Sequence, residues 1–503
     1  VFRPCYHPPE EDYPVRAMDT LEGMLNVPAR YQGLEDTAQR VWDRAVYSRY
    51  LGEIAARLAR SSVRMGPSGL VRNLSQYPWT RSMLQVATMY HKLVSPRTGR
   101  YREANAVLMA GMVESASELM ERALSEPERL ILHEDLVPPE IINAMGLNSW
   151  CLEFVGFLVP MLIPSMAEKY IDACENGGIP PDVCSLPKEM MGMTLSGHIP
   201  KSAGIVTSNS PCDGGMSSYS LMERELKVPV FRMDVPYNFK SDRAARYFVG
   251  ELERLIAWLE EKTFARMDWD RLTEICAERN RMLEAELELW DLQKTRPAPL
   301  GGEPMYLSHL WCYTVAPGRP SSTKLFERLT ALARKNLEAG KGAIPEERYR
   351  ILLWGPFPAH LYNLFAWVER VYGGILILDS LSFNRLPFIR TDNREDMLAD
   401  LGRTIMAGPM ARHSRGPSEN YFEDMFHMVE NFNIDMIWLA GHVGCKNAQA
   451  LNGMLREKCR ERGIPLFPME FDLSDPRVVS GKDIKGQVEH FMENVMHAKR
   501  LDR

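Results

Sequence analysis

Two stretches of this chain repeat one pattern: a short apolar run of β type, then a turn, then a helix start. Between about 126 and 240 the runs are Arg129-Leu-Ile-Leu-His133, Ala203-Gly-Ile-Val-Thr-Ser208 and Val228-Pro-Val-Phe-Arg-Met-Asp-Val235. Beyond about 346 they are Arg348-Tyr-Arg-Ile-Leu-Leu-Trp354, Gly374-Ile-Leu-Ile-Leu-Asp379, Ile434-Asp-Met-Ile-Trp-Leu-Ala440 and Pro465-Leu-Phe-Pro-Met-Glu470. Strands that alternate with helices build parallel sheets covered on both faces, so the pattern predicts α/β. Residues 241–345 between the two stretches are mostly amphipathic helix and read as a connector. Residues 1–125 are polar, Arg- and Met-rich and patterned for helices such as Asp36 to Ala59 and Asn105 to Ala123. The expected plan is a helical N-terminal extension (1–125), a first α/β lobe (126–240), a helical connector (241–345) and a second α/β lobe (346–503).

A chain of 503 residues is long enough for several such cores. Its 25% charged residues balance to a net charge of −6, without the basic excess that nucleic acid would demand. The longest apolar run, Val155 to Met166, is broken by Pro160 and Pro164 and is too short to span a bilayer, so it reads as a buried helix pair. The chain opens at Val1 without a secretory-type segment, and nine cysteines in such a chain point to reduced thiols; the expected location is cytoplasmic.

The cysteines then separate by context. Cys174, Cys276 and Cys459 fall within helical patterns, whereas Cys184, Cys212 and Cys445 each fall in a turn beside a helix start. Cys212 and Cys445 directly follow strands, at the sheet edge where ligands of α/β proteins collect. A helix N-terminus favours thiolate over thiol, which suits metal binding, although dispersed cysteines also serve as ordinary core. No Walker A loop, dinucleotide-binding glycine fingerprint or paired-histidine zinc helix is present.

Three strings then align with a known family: Gly178-Ile-Pro-Pro-Asp-Val-Cys184, Asn209-Ser-Pro-Cys212-Asp213 and Val228-Pro-Val-Phe-Arg-Met-Asp-Val-Pro-Tyr237. Near the C-terminus stand Gly441-His-Val-Gly-Cys445-Lys446 and the segment from Gly463 through Asp475-Pro-Arg477 to Gln487-Val-Glu489. From about Glu126 to Met496 the chain resembles the 2-hydroxyacyl-CoA dehydratase and benzoyl-CoA reductase family.

The resemblance implies two Rossmann-like lobes with Cys184, Cys212 and Cys445 as ligands of a 4Fe-4S cluster, or of a double-cubane 8Fe-9S cluster in the small-molecule reductases of the wider family. It implies a homologous second subunit or a self-dimer, an ATP-dependent iron–sulfur activator that donates single electrons, and an acyl-CoA substrate. In the dehydratases it resembles, an electron added to the thioester carbonyl gives a ketyl radical anion that expels the 2-hydroxyl group. An electron-relay or scaffolding subunit is the alternative from another class.

His133, Glu134 and Asp135 close the first strand where related dehydratases present small hydroxyl side chains. They are candidate catalytic groups, with a solvated helix-entry cap as the other reading. His442, beside Cys445, is a further catalytic candidate. Lys446 and Asp213 read as neighbours of the cluster or helix caps, and Trp354 and Trp438 as packing.

Overall fold

The computed structural model describes residues 34–78, 80, 93–94, 97, 99–237, 240–383, 386–414 and 416–501. The first 33 residues of the expected N-terminal extension lie outside them.

The protein is α/β, with two four-stranded, wholly parallel sheets. The first contains β1 (Leu130–His133), β2 (Asn148–Cys151), β3 (Gly204–Ser208) and β4 (Val230–Met233), in the order β2-β1-β3-β4. The second contains β5 (Tyr349–Trp354), β6 (Gly374–Asp379), β7 (Met436–His442) and β8 (Leu466–Phe471), in the order β6-β5-β7-β8. The two sheets share one strand order. In each, the order reverses between the first and third strands, which opens a crevice at their carboxyl ends. Cys212 follows β3 and Cys445 follows β7, so these two cysteines occupy equivalent places in the two lobes.

Strand β2 was not legible in the sequence. Asn148-Ser-Trp-Cys151 is four residues long and half polar, yet all four are buried because it pairs in register with β1, from Leu130 opposite Asn148 to His133 opposite Cys151. The apolar run that follows forms two helices, Leu152–Leu162 and Pro164–Asn176, with Pro160 accommodated inside the first. No helix among the described residues is long and apolar enough to cross a membrane.

The helices before β1 do not stand apart from the lobes. Tyr50 and Ile54 of the helix Leu34–Met65, and Tyr101, Leu108 and Met112 of the helix Gly99–Ser125, are buried in one hydrophobic core with Ile351, Leu353 and Trp438 of the second sheet. Arg97 is buried between these layers and paired with Glu303 and Glu369. Between the sheets the chain forms the helices Asp242–Thr263, Trp269–Gln293, Gly302–Thr314 and Pro320–Glu338, as the amphipathic pattern predicts.

Candidate metal centre

Cys184, Cys212 and Cys445 are each the N-cap residue of a helix: Ser185–Leu195, Asp213–Leu226 and the short Lys446–Ala450. Turn chemistry places them there. Pro180-Pro181 ends the preceding loop before Cys184, and Cys212 takes extended backbone that lets its Sγ accept the Gly215 N–H at 3.4 Å. All three are only partly buried, whereas Cys151, Cys174, Cys276, Cys312 and Cys459 are buried.

The three caps meet although they come from different lobes. Gly444 is pressed against Cys184, so that a Cβ on it would stand 2.5 Å from the Cys184 Cα. Lys446 Nζ pairs with Asp182 at 3.1 Å, and Asn447 Nδ2 donates to the Pro211 carbonyl at 3.1 Å. A Cβ on Gly214, two residues after Cys212, would touch Pro187 and Val183, which flank Cys184. The sulfurs are near enough for their charges to interact. Burial first, then the charge of Cys445, push the Cys184 thiol well above its usual range, and burial chiefly raises Cys212. Three such thiols can ionise together only beside a positive charge.

No three His, Cys, Asp or Glu side chains among the described residues are close enough to hold a single metal ion. A multi-iron cluster makes a different demand: each thiolate binds its own iron, so the ligands stand further apart than around one ion. Three cysteines at converging helix starts, partly buried and in mutual electrostatic range, fit that demand.

His442, the last residue of β7, enters this site from the second lobe. Its Nε2 lies 3.0 Å from Cys184 Sγ, and its Nδ1 accepts the Leu473 N–H at 3.1 Å. Burial lowers its basicity, partly offset by Asp472, whose carboxylate is 3.9 Å from Nδ1.

His133, Glu134 and Asp135 turn out not to form a solvated cap. His133 and Glu134 are buried at the end of β1, and burial drops His133 to about 4. The His133 Nδ1 is 2.7 Å from the Glu134 carbonyl oxygen, which as an acceptor fixes the ring proton on Nδ1, and Nε2 has no partner. Burial, then the charges of Glu153 and Asp135, raise Glu134 well above the usual carboxyl range, and its Oε1 is unpaired.

Sequence reasoning missed Glu153 and Tyr219, which complete this acidic cluster. The Tyr219 hydroxyl donates to Glu153 Oε1 at 2.5 Å and the Cys151 thiol to Oε2 at 3.5 Å. Burial, then Asp135, raise Glu153 to about 8, so it carries a proton at neutral pH. Its ionised form would raise Cys212, which sets the acidic cluster beside the cysteines. The available signal was a lone Glu in the otherwise apolar run Leu152-Glu-Phe-Val-Gly-Phe-Leu158. A small apolar pocket behind it is lined by Trp150, Cys151, Phe154 and Trp311, with Met120 from the N-terminal helices.

Two parallel α/β sheets with cysteine-capped helices meeting between them, and an acidic cluster alongside, define a class of two-lobed protein built around an inter-lobe site. Residues 136–495 match the family profile described as 2-hydroxyglutaryl-CoA dehydratase, D-component, and the chain belongs to that family. It is 27% identical over 299 residues to the alpha subunit of (R)-2-hydroxyglutaryl-CoA dehydratase from Acidaminococcus fermentans, covering 58% of this chain and 59% of that protein. A benzoyl-CoA reductase subunit of Thauera aromatica is 25% identical over 64% of this chain and 78% of its own length. The (R)-phenyllactyl-CoA dehydratase alpha subunit of Clostridium sporogenes is 23% identical over 65% and 81%. In the first of these the chain spans less than two thirds of the relative's length.

Proposed function

We propose that this chain is the iron–sulfur subunit of a CoA-thioester enzyme of the 2-hydroxyacyl-CoA dehydratase or benzoyl-CoA reductase type, with Cys184, Cys212 and Cys445 holding a 4Fe-4S cluster. The observation that carries the reading is that three cysteine N-caps from two lobes meet at one inter-lobe site. The relatives are named as subunits, which supports a homologous second subunit or a self-dimer; an ATP-dependent activator as electron source follows from the resemblance. We read each lobe as Rossmann-like from its shared strand order, and the segments 1–125, 126–240, 241–345 and 346–503 as the working division of the chain.

A cluster held by Cys184, Cys212 and Cys445 would supply single electrons and Lewis-acid chemistry toward a substrate oxygen. The chain's own residues have separable tasks. Glu153 holds a proton at Oε1 or Oε2 within reach of Tyr219, ready to give it up near Cys212. Glu134, also kept neutral by burial, is a second proton carrier. His133 fixes the Glu134 backbone through Nδ1–H and is too weakly basic to take up a proton at neutral pH. Burial raises the Cys184 and Cys212 thiols, so their thiolate forms would need the positive charge of the metal they hold.

The test is iron and acid-labile sulfide per chain after anaerobic reconstitution of the parent and of Cys184→Ala, Cys212→Ala and Cys445→Ala. About four irons in the parent, lost in each variant, support the reading, and about eight point to the double cubane. A reconstituted parent without iron overturns it.

A further inference from the structure

Among the groups around the three cysteines, the His442 side chain reaches from the second lobe to Cys184 of the first. His442 is only 2% exposed. The Leu473 backbone N–H points at its Nδ1 at 3.1 Å, and a ring nitrogen that accepts a hydrogen bond holds no proton. That places the proton of the neutral ring on Nε2, 3.0 Å from Cys184 Sγ; the Phe471 carbonyl also acts on the ring, but it already accepts the Val443 N–H at 3.0 Å. The Nε2–H donates and the sulfur accepts. Asp472 does not reverse this assignment: its Oδ1 is taken by the N–H groups of Ser474 and Asp475, and its Oδ2 stays 3.9 Å from Nδ1. Lys188, whose charge acts on the ring, is occupied by Glu175 at 2.6 Å and by the Pro181 carbonyl.

We infer that His442 is a positioning residue that tunes the proposed cluster. Its Nε2–H···Sγ bond to Cys184 ties the first lobe's cysteine to the second lobe and draws electron density from the sulfur, which eases one-electron reduction of the group that Cys184 holds. The inference rests on the proposed cysteine site. Hydrogen bonds to ligand sulfurs raise the reduction potential of iron–sulfur centres, because they offset the negative charge that an added electron increases. The electron comes from an external low-potential reductant, and the proton stays on Nε2 throughout. His442 thereby acts through Cys184 and not as the acid or base that its place beside Cys445 suggests. Cys212 receives a backbone donor from Gly215, which a side-chain substitution leaves in place, whereas the His442 donor to Cys184 can be deleted by mutation.

The experiment is a mediated redox titration of the reconstituted full chain, followed by EPR, with iron per chain measured in every sample. His442→Phe removes the donor and keeps a flat ring, whereas His442→Gln places an amide N–H near the former Nε2. At the parent's midpoint potential the Phe variant should show about a tenfold lower ratio of reduced to oxidised centre, ~59 mV for a one-electron couple, and the Gln variant should recover most of it. In parent protein labelled with 15N-histidine, pulsed EPR of the reduced state should detect a coupled histidine nitrogen. That measurement decides the matter if the Phe variant fails to load. An iron-loaded Phe variant that titrates with the parent, or a labelled parent without histidine coupling, overturns the inference alone. A parent that binds no iron overturns the cysteine site and this inference together.

Discussion

Glu153 shows what a single residue gains from its surroundings. The same carboxyl in water would be ionised at neutral pH; here burial and Asp135 hold its proton up to about 8. Glu153→Gln keeps the shape and the neutral charge but removes the transferable proton. Turnover of the assembled enzyme should fall by about 10²- to 10⁴-fold with iron content unchanged. The sign of the pH effect follows from the raised value: the buried neutral carboxyl stabilises the fold below the ordinary carboxyl range, and that contribution is lost as pH rises through about 8. Urea unfolding at about pH 6 and about pH 9 should therefore show Glu153→Gln gaining on the parent at the higher pH. Asp424 behaves in the opposite sense. Burial alone would raise it, but hydrogen bonds from His413 at 2.7 Å and Arg412 at 2.5 Å outweigh burial and hold it at about 2. Its contribution is present above the ordinary carboxylate pKa and lost as pH falls through about 2. Asp424→Asn should cost about 1 kcal/mol at neutral pH after allowance for solvent screening, and less as the solution is acidified, which denaturant midpoints measure.

At the scale of elements, the helix Ser185–Leu195 must lie tightly on Pro164–Asn176 for Cys184 to face the second lobe. Gly192 makes this possible, since a Cβ there would stand 1.8 Å from the Tyr170 carbonyl oxygen. Gly192→Ala should destabilise the protein by roughly 1–3 kcal/mol or more and shift Cys184, so thermal unfolding and iron retention should fall together. A variant that keeps both would show that this crossing does not position the cysteine. Most elements were legible because strands such as Gly374–Asp379 and helices such as Pro320–Glu338 carry their periodicity on their surface. β2 was not: its burial comes from pairing with β1, and nothing in Asn148-Ser-Trp-Cys151 announces that. Glu153 was overlooked with it, since its position follows from where that strand ends.

The whole molecule depends on helices that precede the region matching the family. Arg97 lies outside residues 136–495 yet is fully enclosed, bridging Glu303 of the connector and Glu369 beside the second sheet. Removing one partner of a buried charge network leaves the others unpaired. Arg97→Leu should cost roughly 3–5 kcal/mol, read by chemical denaturation, whereas loss within about 0.5 kcal/mol would show that this buried pairing does not hold the segment before β1 to the core. The lobes meet through a second close approach, Gly444 on Cys184. Its replacement by Ala would press a methyl group on the Cys184 backbone, so iron loading should fall in Gly444→Ala even where the fold survives.

The sequence by itself determined the α/β plan, the family, and the division of the cysteines into helix-buried and loop-borne sets, because each is written in local pattern: apolar runs, prolines and glycines at turns, and short strings around Cys184, Cys212 and Cys445. Only the tertiary structure decided which of those residues meet. Cys184 and His442 are 258 positions apart and share a hydrogen bond; Glu153 and Tyr219 are 66 apart and share a proton-bearing contact. The protonation of His133, Glu134 and Glu153 likewise belongs to the folded chain, since it is set by loss of water and by neighbouring charge, and neither exists until the chain has folded around them.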